Sequence, residues 1–103
     1  MEKVWIFAAP GNGASSYHLP SGVFTAPEQA EEWIHTHKLT GFLIAYPINC
    51  GTLDWAIEYT SNERERRTLE KRRLHPAFTA SFASHMQEYY EYDRGKRIER
   101  KSQ

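Results

Sequence analysis

Two short apolar runs constrain this chain more than any other feature. Val4-Trp5-Ile6-Phe7-Ala8-Ala9 places bulky side chains on both parities, which suits a central strand covered on both faces. Phe42-Leu43-Ile44-Ala45-Tyr46-Pro47-Ile48 reads as a second buried strand, closed by Asn49-Cys50-Gly51. Pro10-Gly11-Asn12-Gly13 stops the first run, and residues 14–20 read as an irregular surface loop.

The segment between the runs supplies a helix. Ser21-Gly22-Val23-Phe24 is a short strand that leads into Thr25-Ala26-Pro27-Glu28. Thr25 as N-cap with Glu28 three residues on forms a capping box, and a proline in the first turn needs no donor. The helix predicted over 26–38 puts Ala26, Ala30, Trp33, Ile34 and His37 on one stripe. Glu28, Gln29, Glu31, Glu32, His35 and Lys38 fall opposite, so the Trp33–Ile34 side should lie on the sheet.

Downstream signals are weaker. Leu53, Trp55, Ile57 and Tyr59 alternate as a strand would, but Thr52 as N-cap and Asp54 in the first turn favour a helix over 53–58. Residues 61–73 are almost wholly polar, with Leu69 the one large apolar side chain, so a helix there is expected to be exposed or frayed. His75-Pro76 opens a short helix over 76–83 that pairs Phe78 with Phe82. His85 to Asp93 reads as a strand with Met86, Glu88, Tyr90 and Tyr92 inward and Gln87, Tyr89, Glu91 and Asp93 toward solvent. Residues 94–103 read as a flexible basic tail. The expectation is a single α+β domain over 1–93, with an antiparallel or mixed sheet of about four strands, one main helix and two shorter ones.

With 103 residues the chain has room for one core. Met1-Glu2-Lys3 runs straight into the first apolar stretch, which is too short for a signal sequence or a bilayer span, so a cytoplasmic protein with no membrane contact is expected. Cys50 stands alone, which excludes an internal disulfide and a thiolate metal cluster; it is expected to be a buried small hydrophobe. The net charge of zero hides a split: residues 1–62 carry six acids and two bases, residues 63–103 seven acids and eleven bases.

Chemistry is sparse in this pattern. His35 and His37 diverge on a helix, His37 is expected to be satisfied at the core edge, His18 lies in a loop, and no H-E-x-x-H spacing occurs. No metal and no cofactor is therefore expected. A metal-free ribonuclease built on His75 or His85 with Lys and Tyr partners is one reading of these residue types. Gly11-Asn12-Gly13 lacks the third glycine and the following helix of a phosphate-cradling loop. The bases between Arg64 and Arg73 could meet phosphates and make a nucleic-acid module, but Glu63, Glu65 and Glu70 interrupt them. The residues best suited to a macromolecular contact are the acids and tyrosines Asp54, Glu58, Tyr89, Glu91 and Asp93. Tyrosine gives rigid amphipathic area and carboxylates pair with the Lys and Arg of a basic protein.

Five segments also carry a resemblance: Ser21-Gly22-Val23-Phe24, Ala30-Glu31-Glu32-Trp33-Ile34, Gly41-Phe42-Leu43-Ile44-Ala45-Tyr46-Pro47, Asp54-Trp55-Ala56-Ile57-Glu58 and Gln87-Glu88-Tyr89-Tyr90-Glu91-Tyr92. In that order they resemble a small, largely uncharacterised bacterial domain family, some of whose members are similar to immunity proteins of polymorphic toxin or contact-dependent growth inhibition systems. The resemblance implies a non-enzymatic protein that neutralises a cognate toxin domain, such as a nuclease, by binding it. It also favours helix at 53–58.

Overall fold

The computed structural model describes residues 2–9 and 19–99. The expected turn at residues 10–13, His18 and the last residues of the tail, 100–103, lie outside them. In chain order the elements are β1 (Lys3–Ala8), β2 (Pro20–Phe24), α1 (Pro27–His37), β3 (Gly41–Pro47), α2 (Thr52–Tyr59), α3 (Glu63–Arg72), α4 (Pro76–Ser81), β4 (Tyr89–Asp93) and β5 (Lys96–Ile98). The strands form one sheet in the order β2-β1-β3-β4-β5, antiparallel at every junction. The class is α+β, with a fifth strand and a fourth helix beyond those expected.

Register decides which side chains share a face. Trp5 lies opposite Ala45 and Phe24, Phe7 opposite Leu43, and Gly41 opposite Tyr92. These side chains point to one side. There α1 covers them with Ala30, Ile34 and Trp33, and Phe7, Ile34 and Leu43 are fully buried. Phe7 meets the Trp33 ring edge-on at 5.6 Å. Gly41 is obligatory at the close approach, since a Cβ there would lie 2.5 Å from the Ala8 carbonyl oxygen.

The start of α1 differs from expectation. Ala26, not Thr25, occupies the N-cap, and no side chain caps it; Pro27 at the first position leaves one donor fewer to satisfy. Its end is closed by left-handed Lys38, with the Leu39 N–H reaching back to the Ile34 carbonyl at 3.0 Å. His37 is exposed, its ring 6.0 Å from Trp33, rather than satisfied at the core edge.

A second apolar cluster joins α2, α3, α4 and the segment after it: Leu53, Ala56, Ile57 and Leu69, with Trp55, Phe78, Phe82 and Met86 against them. The helix favoured at 53–58 is present as α2, capped by Gly51 rather than Thr52. The polar stretch is a formed helix, not a frayed one. Asn62 accepts the Glu65 N–H at 3.0 Å as its N-cap, and Arg66 donates from Nε to the Ile57 carbonyl at 2.9 Å and from Nη2 to that of Thr60. One arginine thus satisfies carbonyls that the end of α2 leaves open.

The strand expected over 85–93 starts later, as β4 at Tyr89. Residues 85–88 precede it, and Gln87 is buried rather than solvent-facing because its amide donates to the Ala45 carbonyl and accepts from the Ser84 N–H. Glu88, expected inward, is exposed. The expected tail is also shorter. Arg94 and Gly95 both adopt positive φ and make a two-residue hairpin turn into β5. Cys50 is exposed, in the turn that carries β3 into α2.

Candidate protein-binding surface

Side chains on the other side of the sheet are unusually apolar. Across four strands the registers align Val23 with Ile6, Ile6 with Ile44 and Ile44 with Tyr89. At ordinary strand spacing this row is about 14 Å wide. Ala8, Phe42, Glu91 and Ile98 form a parallel row beside it. A shallow concavity of about 420 Å³ between them is lined by Ile6, Ala8, Pro20, Phe42, Ile44, Tyr46 and Tyr89, all of them strand residues. Among the described residues no helix side chain lines it.

The ends of the first row are the most open: Val23 is 64% exposed and Tyr89 57%. A solvated face of an antiparallel sheet ordinarily alternates to polar residues. Along the row from Val23 to Tyr89 this one stays apolar. Glu91 and Asp93 follow Tyr89 on the same face of β4, with Lys96 opposite Asp93. Asp93 accepts a 3.4 Å hydrogen bond from Thr40 Oγ1.

Of the residues the sequence singles out, Tyr89, Glu91 and Asp93 are brought together on this face. Asp54 and Glu58 are not part of it. They lie one turn apart on α2, Glu58 exposed and Asp54 bound by Arg73 Nη1 at 2.9 Å. Sequence reasoning missed Ile6, Val23, Ile44 and Tyr46. For Ile6, Ile44 and Tyr46 the cue is the run of apolar residues on both parities of β1 and β3, a pattern that equally fits strands covered on both faces.

The residues weighed for other chemistry are placed separately. His85 Nε2 sits 3.0 Å from Glu65 Oε2, whose carboxyl also accepts from Thr60 Oγ1. The Thr60 bond, then His85, holds the Glu65 carboxyl below its usual range. His75 is the N-cap position of α4. No cluster of His, Cys, Asp and Glu among the described residues is arranged to hold a metal ion. No described helix is long and apolar enough to cross a membrane.

Fold and surface together define a small α+β domain with one helix-covered and one open sheet face. The chain belongs to a family described as a domain of unknown function, DUF7710, whose model matches residues 4–98. No curated protein and no solved structure matches it.

Proposed function

We propose that this protein acts by binding another protein on the open sheet face. The observation that carries the reading is the row Val23–Ile6–Ile44–Tyr89, apolar at every position and open at both ends. Phe42 and Tyr46 widen its centre, while Glu91 and Asp93 give its β4 border acidic character. The matching partner has an apolar patch edged by Lys and Arg. In its finer form the reading is an immunity protein that covers the basic cleft of a cognate toxin, such as a nuclease. The resemblance of the five segments to a bacterial domain family, some of whose members are similar to immunity proteins, supports that form.

If the neighbouring upstream gene encodes a large secreted protein, the C-terminal domain of that protein is the partner to test. The wild type should co-purify with that domain and protect cells from it, and Ile44→Arg and Tyr89→Ala should lose both effects. Protection and binding unchanged in both variants overturn the surface. Self-association of the free protein that disappears in Ile44→Arg assigns the face to a second copy instead.

A second reading has one observation in its favour. Arg64, Arg67 and Lys71 share a stripe of α3 and line a shallow groove with Thr68, Glu70 and Leu74. Glu63 and Glu65, placed in the sequence to neutralise them, are engaged by Arg66 and by Thr60 with His85. That stripe could track a phosphate backbone. Titration with mixed RNA and DNA oligonucleotides at low salt tests it, and a flat response removes it.

A further inference from the structure

A pocket of about 350 Å³ lies where the Pro47 end of β3 meets α2, lined in part by Tyr46, Pro47, Trp55, Tyr59, Met86 and Glu88. Its rear wall is fixed. The Gln87 amide bonds the Ala45 carbonyl at 2.9 Å and the Ser84 N–H at 2.8 Å, and the Ala45 N–H donates to the Glu88 carbonyl at 3.0 Å. Trp55 and Tyr59, one turn apart on α2, hold their ring centroids 6.2 Å apart. Three aromatic residues, Tyr46, Trp55 and Tyr59, and the acid Glu88 therefore line one preformed hollow, with Lys3 beside them.

Aromatic faces and a carboxylate both favour a cation. The molecule already places one at the rim: Lys3 donates to Glu88, its ammonium 5.4 Å from the Trp5 ring centroid. Elsewhere the same chain completes the constellation with a guanidinium. Arg97 lies 4.0 Å from the Tyr90 ring centroid and donates to the Glu31 carboxylate.

We infer that this pocket seats a guanidinium, the side chain of an arginine on the partner protein, with Glu88 as its acceptor and Trp55, Tyr59 and Tyr46 as its stacking rings. The inference rests on the protein-binding reading above and deepens it. Tyr46 lines both this pocket and the concavity of the open sheet face, so a partner seated on that face reaches the pocket. Arginine fits better than lysine because its plane stacks on rings while its fork meets the carboxylate. Lys3 is not an obstacle. Its pair with Glu88 is exposed and opens at small cost, and Glu2 lies in the adjoining groove with both of them to receive the ammonium.

The test uses the whole protein and a small probe, Nα-acetyl-arginine amide, followed by NMR at the Trp55 indole N–H. The arginine probe should give a saturable shift, and the neutral citrulline analogue should bind at least about tenfold more weakly. Glu88→Gln should weaken arginine binding about tenfold as well. Tyr59→Ala should also weaken it; Tyr59 is 52% exposed, so this variant keeps the fold where Trp55→Ala could lose it. No saturable shift, or equal affinity for arginine and citrulline, overturns the pocket. Ile44→Arg leaves the pocket intact and separates the two readings. Normal probe binding with partner docking indifferent to Ile44→Arg removes the sheet-face reading; a silent probe with docking abolished by Ile44→Arg removes the pocket alone.

Discussion

The phenol of Tyr92 donates a 2.6 Å hydrogen bond to Oε2 of Glu31, tying β4 to α1. The same carboxylate oxygen accepts from Arg97 on β5, whose guanidinium also covers the Tyr90 ring. The β4–β5 hairpin and α1, more than 50 residues apart in sequence, thus meet at one carboxylate. The contact ties β4 and β5 to α1, while alternation along β4 leaves Tyr89 exposed and Glu91 half-buried on the other face.

Tyr92→Phe removes that bond without changing the packed ring. Tyr92 is 3% exposed, and the lost bond is to a charged acceptor, so the variant should be less stable by about 1–2 kcal/mol. Urea unfolding checks this. An unchanged midpoint would mean that Arg97 alone satisfies Glu31.

The same group predicts the pH limits of the fold. Burial pulls the Glu31 carboxyl upward, but the bonds from Tyr92 and Arg97 outweigh it and hold the value below the ordinary 4.5. Folding therefore favours the ionised form. Its contribution is complete above 4.5 and is lost as pH falls through the lower folded value. The Tyr92 phenol behaves oppositely: burial, then the bond to Glu31, raises it above the ordinary 10.0. Its contribution is complete below 10.0 and declines as pH rises beyond it. Thermal unfolding across pH should show both limbs, and Glu31→Gln should flatten the acid one.

How much of this was legible in the chain depends on the range of the signal. β1, β2, α1 and β3 followed from local apolar pattern and punctuation, as did the choice of helix for α2. The inward placement of Tyr90 and Tyr92 also followed from alternation. What stayed hidden rests on long-range partners. Arg97 looks like part of a basic tail until Glu31, 66 residues earlier, is seen to receive it. Gln87 looks like a solvent-facing residue until its partner Ala45, 42 residues away, is known. α3 carried a readable cue in Asn62 and Glu65, three apart, which was obscured by the polar run that follows. Of the candidate site, Tyr89, Glu91 and Asp93 were found from residue type; Val23, Ile6 and Ile44 needed the strand order.

Arg66 joins α3 to the end of α2, and its loss should loosen the second cluster. Arg66→Ala leaves the Ile57 and Thr60 carbonyls without this donor and removes the pair with Glu63. A cost of about 1–3 kcal/mol is expected, because the part-buried acceptors lose their partner. Hydrogen exchange should locate the change in α2 and α3 while β1 and β3 stay protected. Uniform loss of protection would instead mean that both clusters unfold as one unit.

The open face should separate stability from binding. Val23 and Tyr89 are both more than half exposed, so Val23→Lys and Tyr89→Lys remove little packing and should change stability by no more than about 0.5 kcal/mol each. Leu43→Ala, on the covered face and fully buried, should cost about 2–5 kcal/mol. A partner that docks on Val23–Ile6–Ile44–Tyr89 must desolvate that row, and a lysine at either end puts an ammonium into the contact. Association with the partner should therefore fall sharply in both lysine variants while their thermal midpoints stay near wild type. Binding retained by both, with the midpoints unchanged, would show that the partner uses another surface.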